Sequence, residues 1–91
     1  MNDTKMIVIL DDQLVNLEAT KLVLLDFGCK AQIQLFTSSL AAIDFIMHYT
    51  LQQKSRKTID LLITEFQMPE MTGIEVINEI STFLQLMIVR G

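Results

Sequence analysis

Three acidic residues are spaced so that they could act together. Asp11 and Asp12 follow the apolar run Met6–Leu10 (MIVIL), and Glu65 follows the run Ile59–Thr64 (IDLLIT). Short apolar runs rich in β-branched residues suit parallel strands buried on both faces. In an open parallel sheet, groups that do chemistry gather at the carboxyl ends of the strands. Neighbouring strands would bring the three carboxylates together although more than fifty positions separate Asp12 from Glu65. Carboxylates crowded in this way repel one another unless a cation or protons intervene. A hard divalent ion such as Mg²⁺, held by one or two carboxylates, a carbonyl and waters, would relieve them. Asp60 is excluded, because it opens its strand at the far end of the sheet.

The elements that must position these acids alternate along the chain. From Leu14 to Phe27 the spacing turns helical, with Val15, Ala19 and Leu22 on one face and Gly28 as a stop signal. Ala31 to Phe36 (AQIQLF) alternates as an edge strand would. Ser38 or Ser39 is placed to cap a second helix, whose Leu40, Ile43 and Met47 share a face. Thr50 to Thr58 is the one polar, charged connector of any length, and Met68 to Thr72 form a loop around Pro69. Gly73 opens a third helix, with Ile77, Ile80 and Leu84 on the apolar side and Glu75, Asn78, Glu79 and Thr82 opposite. Leu84 to Val89 (LQLMIV) then reads as a fourth strand. Strands alternating with helices in this way predict an α/β fold with a doubly wound parallel sheet and helices on both faces.

Composition narrows the function. The chain has 91 residues, enough for one small domain, and half of them are apolar (51%). A mean hydropathy of +0.41 is high for a soluble monomer, so part of the apolar surface is expected to meet a partner. The net charge of −4 argues against a nucleic-acid binder, and Lys54, Arg56 and Lys57 form the one basic cluster, read as a solvated loop. Cys29 is the single cysteine, so no intrachain disulfide is possible, and it reads as a small buried residue. His48, late in the second helix, has no second histidine with which to bind a metal. No apolar run is long enough for a signal peptide or a membrane span, so a cytoplasmic location is expected, with no membrane partner.

At its strand ends the sequence resembles the receiver domain of two-component response regulators. The resemblance rests on ILDD at 9–12, Asn16, Gly28 closing the first helix, DLLIT at 60–64 and QMPEMTG at 67–73. It spans nearly the whole chain. It implies a flavodoxin-like sheet of order 2-1-3-4, with residues 1–91 a receiver-like domain lacking the fourth helix, fifth strand and fifth helix. By the same resemblance, Asp11 and Asp12 hold Mg²⁺, Gln67 lends it a backbone carbonyl, and Arg90 takes the switch position that ends the fourth strand. The phosphoacceptor position, three residues before the Met of Met-Pro, is occupied by Glu65 rather than Asp.

The departures from the family pattern shape the expectation. The extra methylene of Glu65 moves its oxygens by roughly an ångström, and misplacement on that scale can cost ~10²-fold in rate. The hydroxyl of the switch position is missing at Arg90, and no lysine follows a fifth strand in this sequence. These residues lead us to expect no enzyme, but a degenerate receiver acting as a protein-interaction module in phosphorelay signalling, with weak Mg²⁺ affinity. A Mg²⁺-dependent phosphoacceptor of a His–Asp relay and a structural subunit of a larger assembly are the alternatives. Expected partners are a histidine kinase or phosphotransfer protein, or a second copy paired through the exposed fourth strand.

Overall fold

A computed structural model describes residues 5–52 and 59–90, with side chains for 5–52 and 59–81. Among the described residues, three strands and three helices alternate: β1 (Met6–Leu10), α1 (Leu14–Asp26), β2 (Gln32–Phe36), α2 (Ser39–Gln52), β3 (Leu61–Thr64) and α3 (Gly73–Arg90). The strands form one parallel sheet of order β2-β1-β3. In register, Leu10 lies beside Phe36 on one side and Thr64 on the other. No helix among the described residues is long and apolar enough to cross a membrane.

The central strand explains the two-sided core. All five residues of β1 are buried, and alternate ones point to opposite faces. Ile7 and Ile9 join Leu17 of α1, with Leu24, Ile33, Leu35 and Ile63 packed around them. Met6, Val8 and Leu10 meet Ala42, Ile43 and Ile46 of α2 and Val76 and Ile80 of α3. A continuous apolar run is thus what a strand covered by helices on both faces requires.

The helices begin and end where local chemistry dictates. Gly28 adopts φ +81°, and the amides of Gly28 and Cys29 bond back to the carbonyls of Leu25 and Leu24, the Schellman closure of α1. Ser38 caps α2: its Oγ accepts from the Ala41 amide at 3.2 Å. At α3 the Thr72 amide donates to Glu75 Oε1 at 2.8 Å, and the Glu75 amide donates to Thr72 Oγ1 at 3.2 Å. This is a reciprocal capping box, readable in the spacing Thr-x-x-Glu.

Several faces differ from the periodicity. In α1, Leu17 is the buried residue, while Val15 and Leu22 face solvent together with Leu14, Val23 and Leu25, as does Phe27 just past the helix end. In α2, Ile43 and Ile46 are buried with Ala42, whereas Leu40 is exposed. In α3, Val76 and Ile80 face the core and Ile77 does not. An apolar-rich helix offers more than one apolar stripe, and docking on the sheet selects among them.

The expected fourth strand does not form. Residues 84–89 continue α3, which runs unbroken to Arg90. No Gly or Pro interrupts the sequence between Gly73 and Gly91, and a short apolar run fits a buried helix segment as well as a strand. A helix also satisfies its backbone groups locally, without a strand partner. The sheet therefore ends at β3, beside an open cavity of about 270 Å³ lined by Ile59, Leu61, Leu62, Ile77 and Ile80 among others. Lys54, Arg56 and Lys57 lie outside the described residues.

Candidate functional site

The carboxyl edge of the sheet brings the expected acids to adjacent positions. The Asp11 amide donates to the Phe36 carbonyl at 3.1 Å, and the Glu65 amide donates to the Leu10 carbonyl at 2.9 Å. Ladder bonds thus extend one residue past β1 and past β3 and set the backbones of Asp11 and Glu65 at the ends of neighbouring strands. Asp11 and Asp12 are half-buried; Glu65 and Gln67 are exposed.

The side chains at this edge do not converge. Asp11 Oδ1 turns back to accept from the Gln13 amide at 2.9 Å, where Gln13 precedes α1 without a side-chain cap of its own. Among the described residues, no group of three or more His, Cys, Asp or Glu side chains is placed to hold a metal ion. The donor chemistry suits a hard cation. One oxygen of Asp11 already serves the turn into α1, so a cation held by Asp11 and Asp12 would use the other oxygen or compete with that turn.

Arg90 does not take the switch position. It is the last residue of α3 and so does not end a strand beside Glu65. The fourth-strand ribbon through which a second copy was to pair is likewise absent, and the sheet edge on that side belongs to β3. Asp60 lies at the opposite end, as expected. There its Oδ2 accepts from the Met6 amide at 2.7 Å and its Oδ1 lies 3.9 Å from Lys5 Nζ, so it ties β3 to the start of β1. His48 is exposed and turned toward Asp44 of its own helix.

Contacts that the sequence pattern did not assign hold the loop after β3. Gly73 is buried, and its amide donates to the Phe66 carbonyl at 2.8 Å. A Cβ at this position would sit 2.5 Å from the Glu65 carbonyl oxygen and 3.2 Å from Phe66 Cα. Glycine is required because the start of α3 passes directly against the backbone that carries Glu65. Met68 and Met71 pack on the α2–α3 side of the core. Glu70 Oε1 accepts from Ser38 Oγ and from the Ser39 amide, both at 2.8 Å. The sequence did show Ser38 and Ser39 as cap candidates. Nothing in its spacing pairs them with a glutamate more than thirty positions away.

The family model for the response regulator receiver domain matches residues 7–89. The chain belongs to this family. Solved structures agree on the fold of this receiver domain. It is similar to a response regulator receiver domain protein from Clostridium thermocellum, with TM-score 0.69, 23% identity, and 87% of this chain and 56% of that one covered. It is also similar to a response regulator receiver protein from Pseudomonas putida, with TM-score 0.66, 27% identity, and 90% and 60% covered. An uncharacterized protein from Neptuniibacter caesariensis matches with TM-score 0.70, 24% identity, and 89% and 53% covered. The receiver domain thus spans a little over half the length of these solved chains. No curated protein gives a significant match. Membership in this family places the receiver domain in two-component signalling.

Proposed function

We propose that this receiver domain works as a protein-interaction module of a two-component system and is not phosphorylated at Glu65. The observation that carries the reading is the apolar surface of α1, which begins two residues after Asp12. Leu14, Val15, Leu22 and Val23 are all more than half exposed, and Phe27 is 86% exposed. Apolar side chains grouped on one helix mark a surface that meets another protein. Because α1 starts at the acidic edge, a partner on its first turn, at Leu14 and Val15, would lie beside Asp11 and Asp12. Its class is a histidine kinase or phosphotransfer protein of the same signalling system.

Two features support the absence of phosphotransfer. Glu65 places its carboxylate a methylene farther from the backbone than an aspartate would, and in-line phosphoryl transfer depends on position and charge neutralisation. Asp11 is engaged with the Gln13 amide, so binding of Mg²⁺ by Asp11 and Asp12 competes with that turn and is weak.

The test has two arms. Incubation with Mg²⁺ and acetyl phosphate is expected to leave the intact mass unchanged; a phosphoryl adduct mapping to Glu65 would favour the phosphoacceptor alternative. Titration of the isotope-labelled chain with a histidine-containing phosphotransfer protein is expected to shift amide resonances along α1. Shifts confined to other elements, or none with any such protein, would overturn the interaction reading.

A further inference from the structure

We infer that Glu70 is a positioning residue that latches the loop bearing Glu65 and Gln67 onto the N-terminus of α2. The inference rests on the reading of the acidic edge as the functional site, although its test does not depend on a partner.

The first amides of any helix lack partners within the helix. In α2 the Ala41 amide is satisfied locally by Ser38 Oγ at 3.2 Å, but the Ser39 amide is satisfied from outside the helix. Its acceptor is Glu70 Oε1 at 2.8 Å, and the same oxygen takes the Ser38 hydroxyl at 2.8 Å. A carboxylate at this end also meets the positive pole of the helix dipole. One glutamate thus completes a cap that the local sequence leaves unfinished.

The loop depends on the same contact. From Phe66 to Thr72 the chain has no strand neighbour, and the side chains of Glu65, Phe66, Gln67, Pro69 and Glu70 are exposed. Its ties toward α2 converge on two serines. Ser39, only 1% exposed, donates its hydroxyl to the Met71 carbonyl at 3.2 Å, with Met68 Sδ 3.8 Å away. Glu70 supplies the charge-assisted bonds of this junction, which are stronger than neutral ones. Displacement of the loop therefore removes the part of the α2 cap that Glu70 supplies. By linkage, anything that frays the start of α2 loosens the loop to the same degree. The junction couples the edge to α2 on the opposite face from α1.

Native-state hydrogen exchange on the 91-residue chain tests the latch, with Glu70→Ala, Glu70→Gln and Ser38→Ala compared against the unmodified protein. In Glu70→Ala, exchange at the Ser39 and Gly73 amides is expected to accelerate about tenfold beyond any change at Val8 and Ile9, which report global opening. Glu70→Gln keeps an acceptor oxygen at the same reach and is expected to restore most of the protection. Ser38→Ala removes one donor and the local cap, and should accelerate Gly73 several-fold if loop and helix are coupled. If Glu70→Ala fails to fold, Ser38→Ala and Glu70→Gln decide alone. Equal acceleration at Ser39, Gly73, Val8 and Ile9 would reduce Glu70 to a general contribution to stability and overturn the latch. An unchanged Gly73 amide in Ser38→Ala would overturn the coupling. Loss of partner binding with these exchange patterns intact would count against the interaction reading alone.

Discussion

Replacing Gly73 with alanine probes the closest approach in the site. The new Cβ would lie 2.5 Å from the Glu65 carbonyl oxygen, where ordinary contact begins at 3.4 Å. The loop backbone must then retreat by roughly an ångström, because neither the carbonyl nor the first turn of α3 is a flexible side chain. Overpacking of this kind costs about 1–3 kcal/mol. The gain in helix propensity from Gly to Ala approaches 1 kcal/mol only in a helix interior, and Gly73 is the first helical residue. We therefore expect a net loss of about 1–2 kcal/mol, which for a domain of this size lowers Tm by roughly 5–15 °C. Denaturant unfolding measures the loss, and an amide correlation spectrum locates it at Glu65, Phe66 and the start of α3. A Gly73→Ala protein as stable as the parent, with unchanged resonances at 65 and 66, would refute the close approach and with it the placement of Glu65.

Other outcomes follow from the same geometry. Replacing Asp11 and Asp12 together with Asn should abolish Mg²⁺-dependent shifts in an NMR titration while stability stays equal or rises, since Asn can still accept from the Gln13 amide. A marked loss of stability would instead make these acids structural. Ile46→Ala removes a fully buried side chain between α2 and the sheet and should cost about 2–5 kcal/mol in chemical denaturation; a loss under 1 kcal/mol would contradict the packing. Gly28→Ala meets no atom within 4 Å, yet φ +81° alone should cost about 1–2 kcal/mol, with Gly28→Asn costing less. Leu22→Lys on the exposed side of α1 should leave Tm within a few degrees of the parent and weaken binding of a phosphotransfer protein, read by calorimetry.

Much of this receiver domain was legible because its signals are local. Runs of β-branched residues, stop signals such as Gly28, and acids placed directly after apolar runs act over a few positions. They fixed three strands, the starts of three helices and the sheet edge whose backbone carries Asp11, Asp12 and Glu65. The Thr72–Glu75 capping box was equally local, and its spacing stood in the sequence to be read. Decisions that rest on long-range contact could not be read in this way. Whether Val15 or Leu17 faces inward depends on how α1 lies across Ile7 and Ile9, since the helix is apolar on more than one side. Residues 84–89 carry signals for both strand and helix, and the structure settles them as the end of α3. The carboxylates were brought to one edge by the ladder, but the direction of each side chain follows its nearest donor, as the turn of Asp11 toward Gln13 shows. Glu70 reaches two serines on another element, a pairing that only the folded chain creates. Sequence determined which backbone each residue occupies; the partner each side chain finds was decided by the packing of elements distant along the chain.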